Sequence, residues 1–556
     1  MKKFFWLCAC VLVAVSCKTV QQGVGEHVAD SRKIQIPFEW GNANVYFLLT
    51  DRFYNGDKTN DVVLGRTANA AVLRGFEGGD LRGVIEKLDA GYFSDLGITA
   101  IWMTPLVEQI HGYTDEGTGK TYPFHGYWTK DWTAIDPNWG TEADLHELVQ
   151  KAHARGIRIV LDAVVNHTGP VTQRDGVFPA DWVRTEPTCS YENYTTTIDC
   201  TLVKNLPDVL TESHANVELP EMLLEKWRSE GRLEKELSSL NTWFARTGYP
   251  RAPKYYIMKW LADYISKFGI DGYRVDTVKH TTEDVWDDFA KICQLAFDDY
   301  NAANPDKFMG DKAFFLVGEV YGYGIGQKLD YHFPDKKVNY FENGFPALIN
   351  FDFKADAHQD YEALFSSYDH ILRDEMKGNT VMNYLSSHDD GSPFDKNREM
   401  TWDSGIKLLL SPGISQIYYG DESARPLQVK GAEGDAHLRS FMNWEDLHND
   451  VEIKSLHEHY QLLGKFRKRH LAVGMGAHKM LSAEPYWFAR TYEGQGFIDK
   501  IVIGLDLETG EKEVIVNDIF ADGTRLRDAY SGVKTQVKNG KIQLDTDFSV
   551  VLLEMY

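Results

Sequence analysis

Gly-Tyr-Arg-Val-Asp-Thr-Val-Lys-His, residues 272–280, is a short apolar run that ends in polar residues, with a carboxylate at Asp276. Three further stretches have the same form: Ile-Val-Leu-Asp-Ala-Val-Val-Asn-His (159–167), Phe-Leu-Val-Gly-Glu-Val (315–320) and Leu-Ser-Ser-His-Asp-Asp (385–390). Each is typical of a buried strand with polar side chains at its end. Because the carboxyl ends of strands in a parallel barrel share one rim, the pattern predicts that these side chains meet in space.

The chain as a whole carries eight such strand candidates, and amphipathic helical stretches separate most of them. A capping box at Thr141-Glu-Ala-Asp144 predicts the start of one helix, which we expect to run to Arg155, ahead of Gly156. Strand and helix alternating eight times predict an α/β fold, a (β/α)8 TIM barrel with right-handed crossovers. The candidates are residues 45–49, 100–103, 158–162, 272–276, 314–319, 347–351, 381–386 and 414–419.

The connection after the third strand is far longer than the two to six residues usual in such loops. We therefore expect residues 168–252 to form an inserted lobe, and the barrel to comprise residues 38–167 and 253–473. From about Gly474 the pattern changes to short alternating strands with Gly turns, which predicts a C-terminal antiparallel β-domain over residues 474–556.

The amino terminus is typical of a targeting segment. A short basic start precedes an apolar stretch that is too short to span a bilayer, and small residues then lead to Cys17. Residues 1–17 are typical of a bacterial lipoprotein signal, with Cys17 as the lipidated first residue of the mature protein. An ordinary secretory signal is the alternative. Residues 18–37 are polar and indicate a tether, so we expect an anchored lipoprotein on the periplasmic or cell-surface side.

Net charge and cysteine content restrict the binding partners and the compartment that we expect for this protein. The 556 residues carry a formal net charge of −23, which argues against nucleic acid or an anionic membrane surface as a partner. In an oxidising compartment we expect Cys189 and Cys200, a near pair in a turn-rich stretch, to close a small loop by a disulfide. Cys293 lies on a helical pattern and is expected to be a buried filler.

Carboxylates that meet on one rim suit glycoside hydrolysis, in which one carboxylate attacks the anomeric carbon and one acid protonates the leaving oxygen. The four stretches, in this order, resemble the α-amylase superfamily, glycoside hydrolase family 13. The resemblance makes Asp276 the nucleophile, Glu319 the general acid/base and Asp389 the transition-state stabiliser. We expect the pKa of Glu319 to be raised by apolar surroundings and neighbouring negative charge, because the acid must start protonated.

The same resemblance implies the sugar-binding residues. Arg274 matches the arginine that holds the nucleophile, His167 and His388 match histidines of subsite −1, and Tyr127 matches the tyrosine that stacks under that sugar. The inserted lobe and the β-domain match the family's domains B and C.

Calcium is the cofactor that the resemblance implies, at one or two sites. The first resembles a site in cyclodextrin glucanotransferases, and the density of oxygen side chains suits a hard cation; an ordinary Asn/Gly-rich turn is the alternative. The second would join domains A and B through Asn166, Asp208 and the carbonyl of His280, with magnesium or sodium as alternatives. The ligands of the first would be Asn55, Asp57, Asn60, Asp61, Gly78 and Asp80.

Only a few residues of the sequence indicate which glycosidic bond the enzyme cleaves. Thr277, Lys279, His280 and the stretch Leu206-Pro207-Asp208 resemble the α-amylase form, with Lys279 and His280 holding sugar beyond the cleaved bond. Asp390 departs from the family, where Asn or Thr is more usual. We expect a monomeric enzyme that cleaves internal α-1,4 bonds of an α-glucan polysaccharide or oligosaccharide. A 4-α-glucanotransferase, a cyclodextrin-acting relative or a non-enzymatic glycan-binding lipoprotein are the alternatives.

Overall fold

Eight parallel strands, β1 to β8, close into a barrel in a computed structural model that describes residues 36–556 except residues 68 and 116. Each strand pairs with its neighbours in chain order, and β8 pairs with β1. The predicted barrel is therefore confirmed, and every strand candidate overlaps an observed strand. The strands are β1 Asn44–Leu48, β2 Ala100–Met103, β3 Arg158–Ala163, β4 Gly272–Val275, β5 Phe315–Gly318, β6 Ala347–Asn350, β7 Thr380–Tyr384 and β8 Ile414–Tyr418.

Helices cover the barrel, and the capping box is present where the sequence predicted it. The Thr141 hydroxyl accepts from the Asp144 N–H, but the helix ends at His153, two residues before the predicted Arg155. The described residues 319–346, between β5 and β6, contain only short 3-10 turns and a small hairpin in place of a covering helix. The longer helices are α1 Leu81–Asp89, α2 Glu142–His153, α3 Glu221–Ser229, α4 Leu233–Thr247, α5 Pro253–Phe268, α6 Asp284–Ala303, α7 Tyr361–His370, α8 Thr401–Leu410 and α9 Val451–Arg469.

Residues 168–252 contain α3, α4 and a two-stranded sheet of Val183–Arg184 with Asp208–Val209. A disulfide joins Cys189 and Cys200, whose Cα atoms are 4.9 Å apart. The segment packs on the barrel within one compact unit, Phe38–Tyr556. The first 35 residues, which include the predicted signal at 1–17, its Cys17 and most of the tether at 18–37, lie outside the described part of the chain.

The C-terminal part is antiparallel, as predicted. Its main sheet has six strands in the order β9-β10-β11-β16-β13-β14, and β12 pairs with β15. Trp487, Val502 and Leu553 belong to a second hydrophobic core at this sheet. The strands are β9 Ala477–Ser482, β10 Tyr486–Gly494, β11 Phe497–Leu505, β12 Gly510–Ile515, β13 Arg525–Asp528, β14 Lys534–Gln536, β15 Lys541–Thr546 and β16 Val551–Met555.

No helix among the described residues is both long enough and apolar enough to cross a bilayer. Cys293 is a free, buried cysteine on α6.

Candidate active site

The carboxyl ends of β3, β4 and β5 bring four charged side chains together. Asp162 on β3 lies opposite Arg274 on β4 in the strand register, so both side chains point into the barrel at the same level. Asp276 directly follows β4 and Glu319 directly follows β5. The Asp276 N–H donates to the Ala163 carbonyl at 3.0 Å and continues the ladder to the rim. The predicted meeting of these side chains follows from this register.

One guanidinium links the carboxylates. Arg274 Nη1 lies 2.7 Å from Asp276 Oδ1 and 3.0 Å from Asp162 Oδ1, and Nη2 lies 3.1 Å from Glu319 Oε2. The Arg274 side chain is 1% exposed, so water does not compete for these contacts. Charge-assisted contacts of this kind fix the orientation of buried carboxylates.

Burial opposes ionisation here. It is the main cause that raises the pKa of Glu319 to about 8; Arg274 lowers that pKa, and the negative charges of Asp276 and Asp389 raise it. Burial likewise raises the pKa of Asp162 to about 7, against the nearby Arg274. A carboxyl group with a raised pKa holds a proton near neutral pH, which is the state a general acid requires. The raised pKa of Glu319 agrees with the expectation from the sequence.

The Glu319 carboxyl also has a backbone partner. Thr277 has a left-handed backbone with φ 53°, and its N–H donates to Glu319 Oε2 at 2.8 Å. The next N–H, of Val278, donates to the Glu319 carbonyl at 3.0 Å. A β-branched residue rarely adopts positive φ, and such strain concentrates at functional sites. The turn after β4 therefore holds the carboxyl group of Glu319, which directly follows β5, in place.

Asp389 lies in the loop after β7, beside His388. Burial would raise its pKa, but His388, Arg274 and Arg439 together hold the pKa below its ordinary value. Burial lowers the pKa of His388 to about 4, so this imidazole is neutral near pH 7. Asp389 is thus an ionised carboxylate next to a neutral histidine.

Two further predicted residues, Tyr127 and His167, lie beside these groups. The Tyr127 hydroxyl donates to Asp162 Oδ2 at 2.9 Å, and its ring stacks on His388 with centroids 5.3 Å apart. His167 Nε2 contacts the Tyr127 carbonyl at 3.0 Å, and its Nδ1 is buried without a hydrogen-bond partner. Aromatic rings and neutral ring nitrogens of this kind suit a sugar, which presents apolar faces and hydroxyl groups.

Comparison with known proteins decides the family. The model of the α-amylase catalytic domain matches residues 47–470. The chain belongs to the α-amylase family. It is 35% identical over 518 residues to the periplasmic α-amylase of Escherichia coli, covering 82% of this chain and 71% of that protein. It is 26% identical to a cyclomaltodextrinase of Thermoanaerobacter pseudethanolicus, and the match covers 86% of this chain and 73% of that protein. A crystal structure of an Anoxybacillus α-amylase superposes with a TM-score of 0.65 at 25% identity, and the match covers 94% of this chain and 99% of that one.

In this α-amylase-family glycosidase, Lys279 and His280 follow the turn after β4. Lys279 Nζ donates to the Tyr321 carbonyl at 2.9 Å and to the Tyr331 hydroxyl at 3.2 Å. His280 Nδ1 lies 3.0 Å from the Thr197 carbonyl, and burial lowers the pKa of its ring to about 4. Lys279 thus contacts the loop after β5, while His280 contacts the segment closed by the disulfide.

Three members of the first predicted cation set, Asn55, Asp61 and Gly78, lie together near the amino end of α1. Asn55 Nδ2 donates to Asp61 Oδ1 at 2.8 Å, while the side-chain oxygens of Asn55 and Asn60 are buried without partners. A Cβ on Gly78 would lie 2.4 Å from Asn55 Nδ2, so only glycine fits there. Two orphaned amide oxygens beside a carboxylate fit a hard cation.

The two remaining residues of that set already have backbone partners. Asp80 caps α1, with Oδ1 accepting from the Gly83 N–H at 2.6 Å and Oδ2 from the Asp57 N–H at 2.7 Å. Asp57 Oδ1 accepts from the Thr59 N–H at 2.9 Å. Asp80 Oδ1 also accepts from the Gly56 N–H and Asp57 Oδ1 from the Thr59 hydroxyl, so the oxygens with capacity left for a cation are Asp57 Oδ2 and Asp80 Oδ2.

The second predicted set fits only in part. Asp208 Oδ1 is buried without a hydrogen-bond partner, but Arg184 Nε lies 2.9 Å from Asp208 Oδ2. Asn166 Oδ1 accepts from the Thr281 hydroxyl at 3.2 Å. Both predicted sets use amide and carbonyl oxygens, and the described residues contain no group of three or more His, Cys, Asp and Glu side chains placed to hold a metal.

The sequence reasoning missed Asp162 and Arg439 as site residues. Asp162 joins Arg274 to Tyr127 and also accepts from the Trp102 indole at 3.2 Å. Its signal was present, because a charged residue stands inside the apolar run at 159–167. Arg439 Nε donates to the His388 carbonyl at 2.8 Å from a distant loop, and no local pattern marks it.

Proposed function

We propose that this protein hydrolyses internal α-1,4-glucosidic bonds of starch, glycogen or malto-oligosaccharides with retention of configuration. The observation that carries this proposal is the shared Arg274 guanidinium, which contacts the Asp276 and Glu319 carboxyl groups through adjacent nitrogens. A retaining pair works at about 5–5.5 Å, closer than an inverting pair, which must leave room for water between its members. The side-by-side placement on one guanidinium favours retention.

In this mechanism Asp276 attacks the anomeric carbon while Glu319 donates its proton to the departing glycosidic oxygen. The C–O bond to the leaving sugar breaks as the bond to Asp276 forms, through an oxocarbenium-like transition state. Glu319, now ionised, then takes a proton from water, and the resulting hydroxide oxygen displaces Asp276. Arg274 stabilises the Asp276 carboxylate at both ends of this cycle.

The remaining site residues bind and orient the sugar. The Tyr127 ring and the neutral His167 and His388 would enclose the sugar on the side that is retained on the enzyme. Asp389, ionised and one-third exposed at its side chain, would hold two hydroxyl groups as charge develops. Lys279 and Tyr321 would contact the departing sugar.

A second candidate, action on cyclodextrins, is favoured by the relative named as a cyclomaltodextrinase. Transfer to another sugar is favoured by a relative from Geobacillus stearothermophilus named as a cyclomaltodextrin glucanotransferase. Tyr321, two residues after Glu319, is 52% exposed and offers a ring to an acceptor sugar. The same carboxylates would act, and only the group that accepts the glycosyl unit would differ. Product analysis separates the two.

We also propose a structural calcium ion held by Asn55, Asn60, Asp61 and the Gly78 carbonyl, with Asp57 and Asp80 completing the set. A second ion at Asn166, Asp208 and the His280 carbonyl has weaker support, because Arg184 already pairs with Asp208. Neither ion takes part in the chemical steps.

We propose that the mature enzyme is monomeric and acts outside the cytoplasm, in the periplasm or at the cell surface, anchored through lipid on Cys17. The support is the signal-like sequence at residues 1–17 and the periplasmic name of the Escherichia coli relative. Labelling of growing cells with a fatty-acid analogue should mark the wild-type protein and spare Cys17→Ser.

The test of the main proposal is an assay with four substrates: soluble starch, cyclodextrin, pullulan and maltotriose. Soluble starch should release reducing sugar while iodine staining falls rapidly, because internal cleavage shortens chains early. Cyclodextrin and pullulan, assayed beside it, distinguish the alternatives. Cleavage of pullulan alone, at its α-1,6 bonds, would refute the proposed bond specificity, and elongation of maltotriose without net hydrolysis would establish a transferase.

A further inference from the structure

Asp390 follows Asp389, and the two consecutive side chains take opposite directions. The Asp389 side chain is 33% exposed, whereas the Asp390 side chain is 7% exposed. Burial of a carboxylate is costly unless other groups pair with it. The structure supplies those groups from three separate parts of the rim.

The partners of Asp390 tie the loop after β7 to its surroundings. Its Oδ2 accepts from the Tyr384 hydroxyl at 2.7 Å, and its Oδ1 accepts from the Ser392 N–H at 3.0 Å. The Lys354 ammonium, on the short helix that follows β6, pairs with the same Oδ2. Asp390 therefore connects the end of β7, the Asp389 loop and the rim after β6.

The charges around Asp390 are mostly negative, so a cation beside it stabilises the region. Facing this region are the carboxylates of Asp389, Glu319 and Asp276, with Arg274 and Lys279 as their cations and the hydroxyls of Tyr321 and Tyr384 alongside. Asp352 and Asp356 flank Lys354 on its own helix. Without Lys354, Asp390 would add one more uncompensated negative charge next to the proposed stabiliser.

We propose that Lys354 and Asp390 are positioning residues, whose ion pair aims Asp389 at the substrate and cancels the extra charge of Asp390 in the catalytic centre. The proposal rests on the role proposed for Asp389. Its basis is the contact of the nearly buried Asp390 carboxylate with Lys354, whose side chain is 19% exposed.

The experiment is a double-variant cycle with Lys354→Met, Asp390→Asn and the two combined, measured on maltoheptaose. Each single variant should lower kcat roughly tenfold with a smaller change in KM, because one member is left buried without its partner. The combined variant should lose no more kcat than either single variant, because both changes break the same ion pair, while its charge balance is restored.

The pH profile gives a readout that loss of structure alone would not produce. Lys354→Met leaves a negative charge, which disfavours ionisation of the neighbouring acids, so both limbs of the kcat profile should move to higher pH. Asp390→Asn leaves a positive charge, so both limbs should move to lower pH. Shifts of about half a pH unit are expected for a charge change at this range, and the double variant should return to the wild-type profile.

Lys396→Met is the matched control, because this exposed lysine lies in the same loop and contacts only the Gly391 carbonyl. It should leave kcat and the pH profile as in wild type, and melting curves should show all variants folded. Losses that multiply in the double variant, or unshifted profiles in both single variants, would overturn the proposal. Asp389→Asn, run in parallel, should be inactive; if it is not, the proposed function fails instead.

Discussion

At the residue level, the proposed mechanism gives two carboxyl groups different roles, with Glu319 as the acid and Asp276 as the nucleophile. Glu319→Gln keeps the shape of the acid but cannot supply a proton, and Asp276→Asn cannot form the glycosyl-enzyme. We expect each to lower kcat by at least about 10²–10⁴-fold, while calorimetric affinity for maltoheptaose changes little. Substantial starch cleavage by either variant would show that the roles belong to other carboxylates.

The raised pKa of Glu319 predicts the basic limb of the pH profile. The acid works protonated, so kcat should fall as pH rises through its pKa of about 8. At lower pH this group stays protonated and imposes no loss. Steady-state rates on maltoheptaose between pH 5 and 10 provide the measurement, and a rate still rising at pH 10 would contradict the assignment.

At the scale of the element, the loop closed by Cys189 and Cys200 lies against the barrel through His280 and Thr197. Cys189→Ser with Cys200→Ser should lower the free energy of unfolding by roughly 3 kcal/mol, mainly because the unfolded chain regains freedom. Denaturant unfolding provides the measurement. Wild-type protein under reducing agent should reproduce the loss, and equal midpoints for oxidised and reduced protein would refute it.

The elements were predictable from sequence where the signal is local. Apolar runs with polar ends identified the eight strands, and the capping box identified the start of α2. Asp162 had a local signal, as a charged residue inside an apolar run, but its partners Tyr127 and Trp102 were not predictable because they depend on strand register and on loops from elsewhere. The missing helix between β5 and β6 was not predictable either, because no local pattern marks its absence. The pairing of Lys354 with Asp390 joins two loops that no periodic pattern relates.

At the scale of the whole molecule, calcium should stabilise the fold more than it affects chemistry. Binding to the folded state alone adds roughly 2.7 kcal/mol when free calcium is a hundredfold above its Kd. Exhaustive chelation should therefore lower Tm, and added calcium should restore it. Asn55→Ala should weaken the response if the first site is responsible, and Asp208→Asn if the second is. An unchanged melt after chelation would remove both sites.

In the proposed mechanism Asp276 forms a covalent bond to the sugar while Glu319 serves as the acid. Incubation with a fluorinated maltosyl fluoride, which forms the intermediate quickly and hydrolyses slowly, should trap that intermediate for peptide mass spectrometry. We predict one fluorinated maltosyl group on Asp276, within residues 272–280, with fluoride as the leaving group. A label on Glu319 or Asp389, or a product released with inverted configuration and no labelled peptide, would contradict the account.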